Sequence, residues 1–289
     1  DSYSITASEF FRELVRAGSD TADMFFERGW IYLRSGKYQK AERDFQQAIN
    51  KQEAHPWASV GLAQLQLHDG ETAGVRELCE AGLAGDTLCQ REALQLRSQL
   101  NQQTGNIGLA KNDLNKLAEL AEGNPQEQVE CCKLRSKIGD NIVAIDELTK
   151  VLEESPEHHI AILVRGDCYR EVRNYALAIS DYTQFLKYFP QDIQALIQRA
   201  KVFLATKRYD SAHIDLDRIM EIDDTFAETY LVRSKVYLEE GELDTALTEC
   251  RRAVRLDNQR SEAFAVLARI YNQLCDYGNA IEEYSRSIE

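Results

Sequence analysis

Cysteine and histidine are the residues of this sequence best suited to bind a metal or to act as nucleophiles. The 289-residue chain has seven cysteines and five histidines, and two of each are adjacent, as Cys131-Cys132 and His158-His159. Consecutive residues of a helix point about 100° apart, so the two cysteines are poorly placed to ligate one tetrahedral zinc. The histidine pair follows Pro156, where we expect a solvent-exposed junction. We therefore predict no metal site and no cofactor.

Other catalytic patterns are missing from the sequence as well. It has no Ser–His–Asp pattern, no phosphate-binding loop and no Gly-x-Gly-x-x-Gly fingerprint. Carboxylate pairs such as Glu153-Glu154 and Glu239-Glu240 lie at predicted helix ends, where nothing desolvates them. We expect these pairs to be solvated, and we predict no catalytic residue and no enzymatic activity.

A set of arginines recurs at corresponding positions along the chain: Arg28, Arg97, Arg165, Arg199 and Arg233. A row of guanidinium groups could bind phosphate or carboxylate ligands. Alternatively, each arginine lays its aliphatic stem across a helix interface and pairs with a nearby Asp or Glu. The second, structural interpretation is the one we favour.

Charge and composition exclude several classes of partner. Lys and Arg number 34 against 48 Asp and Glu, and the resulting net charge of −14 argues against nucleic acid, which needs a basic surface. No apolar run approaches the roughly 18–20 residues of a membrane-spanning helix, so we predict no membrane insertion. The first residues show no signal peptide. Because the cysteines are odd in number and scattered, we expect reduced thiols and a cytoplasmic location.

A period of 34 residues, with one step of 35, organises the chain. Small side chains recur at Ala7, Ala41, Val75, Ala110, Ala144, Ala178, Ala212, Ala246 and Ala280. A second small series lies twelve residues before the members of the first: Gly29, Ala63, Ser98, Cys132, Gly166, Ala200, Ser234 and Ala268. Small residues let two helix axes approach closely, so each unit is predicted to be a pair of packed helices. The glycines between the two series are predicted to end the first helix in a left-handed conformation: Gly36, Gly70, Gly105, Gly139 and Gly241.

This succession of small, aromatic and glycine positions resembles the tetratricopeptide repeat (TPR) family, whose helix-turn-helix unit has 34 residues. The resemblance implies an all-α fold, a right-handed α-solenoid superhelix. Residues 22–289 fit eight repeats, which begin at Ala22, Pro56, Arg91, Pro125, His159, Ile193, Ala227 and Ser261. Residues 1–21 fit the second helix of a truncated preceding repeat or, alternatively, a capping helix. Because glycines cluster between Gly61 and Gly123, we expect a bend or looser packing around residues 56–124.

In TPR proteins the first helix of each repeat lines a concave groove, and the resemblance places two strips of side chains there. The candidate peptide-binding residues are a basic strip of Lys201, Lys235 and Arg269 and an aliphatic strip of Leu163, Ile197, Leu231, Leu204 and Leu238. An acidic, partly apolar peptide would match both strips. Alternatively, the aliphatic residues pack against neighbouring helices and the cations are neighbours of Glu228, Glu239 and Glu262.

Two ligand-binding modes known in the family do not carry over to this chain. No repeat combines Asn at its ninth position with Lys at its fifth, so the clamp for acidic chaperone tails is missing. The groove also lacks the asparagine ladder of the sugar-transferring relatives. Near the N-terminus, Phe26, Trp30 and Leu33 would form an aromatic patch or, alternatively, ordinary packing.

The resemblance implies a non-enzymatic protein–protein interaction scaffold that binds a protein or peptide partner in the concave groove. The sequence lacks an initial Met and stops within a repeat, so we expect it to be part of a longer protein. An alternative to the scaffold is that this chain is the targeting or substrate-binding arm of a larger enzyme or co-chaperone. The active domain would then lie outside this sequence. Self-association through open repeat ends or the convex face is a third possibility. Because TPR arrays serve unrelated tasks, the sequence does not identify the partner.

Overall fold

The computed structural model describes residues 21–52 and 55–288. These residues form sixteen α-helices in consecutive pairs, and no strand occurs among them. The first helix of each pair is called A and the second B. Contacts divide the chain into two compact units, residues 1–140 and 141–289, which are described separately. The helix predicted within residues 1–21 lies, apart from Thr21, outside the described residues.

The first unit holds seven described helices. They are α1 (Ala22–Arg34), α2 (Tyr38–Lys51), α3 (Pro56–His68), α4 (Val75–Gly82), α5 (Thr87–Gln103), α6 (Ile107–Leu120) and α7 (Pro125–Lys137). Helix α5 begins four residues before Arg91, where the repeat pattern starts a new unit. The reason is a side-chain cap, since Asp86 Oδ1 accepts a hydrogen bond of 2.8 Å from the backbone N–H of Cys89.

The second unit holds nine described helices. They are α8 (Asn141–Glu154), α9 (His159–Glu171), α10 (Tyr175–Tyr188), α11 (Ile193–Ala205), α12 (Tyr209–Ile222), α13 (Ala227–Glu240), α14 (Leu243–Leu256), α15 (Ser261–Gln273) and α16 (Tyr277–Ile288). Its four A helices α9, α11, α13 and α15 begin at the residues where the sequence pattern starts a new repeat. The odd-numbered helices of both units are therefore the A helices.

The small residues of both series lie where helices meet. All members of the first series within the described residues are buried, and Ala41, Ala110 and Ala246 have no exposed surface. The glycines of α1 and α3 show why these positions need a small side chain. A Cβ atom at Gly29 would lie 2.6 Å from Cε1 of Phe45, and one at Gly61 would lie 2.5 Å from Cζ of the same ring. Fully buried Phe45 therefore fills a gap that only glycine leaves open.

The glycine-rich second repeat has a short B helix, since α4 spans only eight residues. A Cβ atom at Gly82 would lie 2.6 Å from Cγ2 of Val60 and 2.9 Å from Cβ of Ala93. Gly82 thus permits α4 to approach both α3 and α5 at this point. The bend or looser packing expected around residues 56–124 stays a prediction.

The turn between the A and B helix of every repeat has a left-handed residue at the same repeat position, and the second repeat has a further one, Gly74 (φ 78°). Five of the residues at this position are the predicted glycines, with φ between 70° and 87°. The other three occupy the same position of the repeat without being glycine: Arg173 (φ 60°), Lys207 (φ 57°) and Cys275 (φ 60°). This conformation costs an L-residue about 1–2 kcal/mol, so packing of the flanking helices imposes it.

Four of the five recurring arginines form two-pronged ion pairs with an aspartate of the B helix of the same repeat. The pairs are Arg28–Asp44, Arg97–Asp113, Arg165–Asp181 and Arg199–Asp215, with N···O distances of 2.6 to 3.2 Å. Each aspartate is at most 5% exposed. The hydrogen bonds to aspartate raise the pKa of Arg28, Arg97 and Arg165. These guanidinium groups therefore join A to B helices, as the structural interpretation predicted.

The fifth arginine, Arg233, lacks this pair because residue 249, the equivalent of the paired aspartates, is Glu. Arg233 instead donates to the Sδ atom of Met220 at 2.7 Å and to the hydroxyl of Tyr237 at 3.5 Å. Its Nε atom and Oε2 of Glu249 are buried without a hydrogen-bond partner among the described residues. One extra methylene in residue 249 thus removes the ion pair from this repeat.

We predict that replacing Lys207 by Gly stabilises the protein by about 0.5–1 kcal/mol, because glycine adopts the left-handed turn without strain but loses more chain entropy on folding. Urea unfolding followed by circular dichroism measures this change in the free energy of unfolding. The matched control is Gly241→Ala at the same turn position, which should destabilise by about 1–2 kcal/mol. Destabilisation by Lys207→Gly would contradict the turn geometry.

The arginine–aspartate pair gives a reciprocal prediction. Asp215→Glu should destabilise by about 1–3 kcal/mol, because it misplaces a buried carboxylate, whereas Glu249→Asp should stabilise by about 0.5–1 kcal/mol by creating the missing pair with Arg233. The exposed control Glu221→Asp on α12 measures the helix-propensity cost of the same change. Calorimetry of the three variants measures the change in melting temperature. Equal changes for Glu249→Asp and Glu221→Asp would show that the arginine–aspartate pair does not stabilise the repeat.

Candidate functional site

The A helices α9, α11, α13 and α15 of the second unit form one continuous surface, as do α1, α3 and α5 of the first unit. In the second unit α9 contacts α11, α11 contacts α13 and α13 contacts α15, and in the first unit α1 contacts α3 and α3 contacts α5. Consecutive B helices within a unit do not contact one another among the described residues. The A helices are therefore closer together than the B helices, which makes their surface the concave side of each unit. We call this surface the inner face.

The three cations of the basic strip lie on consecutive A helices of the second unit, α11, α13 and α15. Each forms an ion pair with a glutamate: Lys201–Glu228 at 2.5 Å, Lys235–Glu262 at 2.5 Å and Arg269–Glu239 at 3.3 Å. The hydrogen bond from Lys235 lowers the pKa of Glu262. The structure thus places the cations beside the three glutamates that the alternative interpretation named.

The aliphatic strip is divided between the surface and the core. Leu163 and Leu204 are partly exposed, whereas Ile197, Leu231 and Leu238 are 0%, 1% and 4% exposed. The three buried residues pack between helices and offer no area to a ligand in this conformation. Contact of a partner with any residue of the two strips stays a prediction.

Another carboxylate of this unit, Asp167 on α9, is withdrawn from solvent. Its Oδ1 atom accepts a hydrogen bond of 2.7 Å from the hydroxyl of Tyr182, which is fully buried. Burial raises the pKa of Asp167, and it also raises the pKa of Tyr182. The two residues belong to different helices of the repeat, and the repeat pattern of the sequence gives no signal for their contact.

The inner face of the first unit contains a cleft of about 640 Å³ between α1, α3 and α5. Its walls include the rings of Phe26, Trp30 and Trp57, and we call it the aromatic cleft. Ring centroids of Phe26 and Trp57 are 6.2 Å apart, as are those of Trp30 and Trp57. All three members of the predicted patch, Phe26, Trp30 and Leu33, pack against the core beneath, but Leu33 does not line the cleft.

Sequence reasoning missed Trp57 as a wall of this cleft. Trp57 stands two residues out of register with the aromatic positions of the other repeats, so the period did not select it. Its ring is held in place by a hydrogen bond of 3.4 Å from Nε1 to Oδ2 of Asp86. Asp86 also caps α5, so one side chain orients both a helix and a cleft wall.

The seven cysteines are free thiols, and all except Cys275 are buried. Burial raises the pKa of Cys79 and Cys89 to about 12 and that of Cys250 to about 11. Such thiols are protonated at neutral pH and behave as small apolar side chains. Within residues 21–52 and 55–288, no group of three or more His, Cys, Asp or Glu side chains could hold a metal ion.

Family models place this chain among known proteins. Three tetratricopeptide repeat models match it, at residues 32–100, at residues 7–56 and 163–224, and at residues 227–260. The chain belongs to the tetratricopeptide repeat family, and the predicted all-α solenoid of helix pairs is confirmed. No curated protein matches the sequence.

Solved structures of TPR proteins share the fold. A tetratricopeptide repeat protein from Parabacteroides merdae is 18% identical, with a TM-score of 0.65 over 93% of this chain and 99% of that one. MamA (residue 41 to end) from Desulfovibrio magneticus is 17% identical, with a TM-score of 0.51 over 57% of this chain and 94% of that one. A thermophilic TPR protein of Thermus thermophilus is 17% identical, with a TM-score of 0.51 over 57% of this chain and 90% of that one. At these identities the likeness concerns the fold alone.

None of the described helices combines the length and the apolar character needed to cross a membrane.

Proposed function

We propose that this chain is a non-enzymatic scaffold that binds a partner protein or peptide along the inner face of its A helices. Membership of the TPR family supports the proposal, because stacked helical repeats present extended concave surfaces to their partners.

For the second unit the partner we propose is an acidic peptide with some apolar side chains. The observation that carries this proposal is the basic strip, in which Lys201, Lys235 and Arg269 recur 34 residues apart on consecutive A helices. A row of evenly spaced cations matches an extended chain that bears carboxylates at intervals.

The existing ion pairs of the basic strip are compatible with this role. The pairs Lys235–Glu262 and Arg269–Glu239 are exposed, and such pairs contribute only about 0–1 kcal/mol each, so an incoming carboxylate can replace either glutamate at little cost. The pair Lys201–Glu228 is partly buried, and Glu228 also lies 3.6 Å from Arg260. Leu163 and Leu204 would supply apolar contact. Ile197, Leu231 and Leu238 would support this surface from beneath.

The test neutralises the basic strip with the triple variant Lys201→Gln, Lys235→Gln and Arg269→Gln. Glutamine removes the charge but keeps a polar side chain with an NH₂ donor, so the variant should fold normally. It should bind acidic, leucine-containing peptides about tenfold more weakly, equivalent to about 1.4 kcal/mol. Binding is measured by fluorescence polarisation with peptides selected on an array, at low and high salt.

The control removes three exposed cations from B helices of the same unit, as Lys150→Gln, Arg218→Gln and Arg255→Gln. It changes the net charge equally and should leave peptide affinity within twofold of the parent. Equal weakening by both triple variants would show a general charge effect. That result, or unchanged affinity of the basic-strip variant, would remove this site from consideration.

A further inference from the structure

We propose that the aromatic cleft of the first unit is a second binding site, which takes a lysine or arginine side chain of a partner protein. The site is separate from the basic strip and selects the opposite charge. Three aromatic rings, two carboxylates without ion-pair partners in the described part of the chain and an exposed apolar side chain give the cleft this preference.

The rings form walls that suit a cation. The planes of Trp30 and Trp57 meet at 77°, and the plane of Phe26 is inclined at 33° to that of Trp57. The faces of Trp, Tyr and Phe carry negative partial charge and attract ammonium and guanidinium groups, with Trp the strongest. The three rings that line the cleft therefore attract a cation as well as offering apolar surface.

The charged residues of the cleft strengthen this preference. Glu27 on α1 and Glu92 on α5 line it from two different helices, and Arg34 is the single cation among its lining residues. Neither glutamate has an ion-pair partner within 4 Å among the described residues. An apolar ligand side chain would remove water from both carboxylates without compensation, whereas a lysine or arginine would pair with them.

Apolar residues beside the rings suit the aliphatic stem of the same ligand residue. Leu88 of α5 is 53% exposed and lines the cleft together with Ile31 of α1. Lysine and arginine bury their methylene groups against such surfaces while the charged end pairs elsewhere. The cleft therefore matches both parts of a basic side chain.

The protein supplies its own optical probe for this site. Trp30 and Trp57 are the two tryptophans of the sequence, and both line the cleft. Tryptophan emission therefore reports on the cleft alone. The ligands are three capped synthetic peptides, Ser-Leu-Lys-Leu-Ser and its counterparts with norleucine or glutamate in the central position.

The lysine peptide should change tryptophan emission saturably, and the norleucine peptide should bind at least tenfold more weakly. The variant Glu27→Gln with Glu92→Gln should weaken lysine-peptide binding at least fivefold and reduce its dependence on salt. The matched control, Glu42→Gln with Glu77→Gln, removes two exposed carboxylates from B helices of the same unit and should retain parental affinity. Circular dichroism checks that both variants are folded.

Three outcomes would overturn the proposal. They are no saturable response to the lysine peptide, equal affinity for the norleucine peptide, and unchanged affinity after Glu27→Gln with Glu92→Gln. The basic-strip variant should leave lysine-peptide binding unchanged, so failure at one site is distinguishable from failure at the other.

Discussion

The close approach of neighbouring helices at small residues is the constraint on which the rest of this structure depends. Phe45 illustrates it, because its ring lies between Gly29 and Gly61 with no space for an added methyl group at either glycine. Since such positions return every 34 residues, each helix pair repeats the same packing. The regular spacing of the A helices follows, and with it the regular spacing of the side chains on the inner face.

Charge has two separate uses in this protein. Arg199 is held by Asp215 between an A and a B helix, whereas Lys201, two residues later on the same helix, reaches the inner face. The guanidinium of Arg199 stabilises the repeat, and its ion pair with Asp215 occupies the donors that a ligand would need. Lys201 forms a partly buried ion pair with Glu228 on the surface that we propose for an acidic partner. The proposed opposite charge preferences of the basic strip and the aromatic cleft therefore arise from surface residues alone.

Much of the fold was predictable from the sequence, because the period reports packing directly. The helix pairs and the turn glycines follow from small residues at constant spacing, but the left-handed Lys207 gives no such signal, since helix packing imposes its conformation. The sites were less predictable. Helical periodicity places Ile197 and Leu204 on one side of α11, yet contact with neighbouring helices buries the first and leaves the second partly exposed. Trp57 was missed because it departs from the period.

The most direct test of the central claim compares two glycine-to-alanine substitutions in helices. Alanine normally stabilises a helix interior by about 0.5–1 kcal/mol relative to glycine. Gly108 has no atom within 4 Å of an added Cβ, so Gly108→Ala should stabilise the protein in this way. Gly29→Ala should instead destabilise by about 1–3 kcal/mol, because its methyl group would overlap Phe45. Urea unfolding that showed stabilisation by Gly29→Ala would contradict the account.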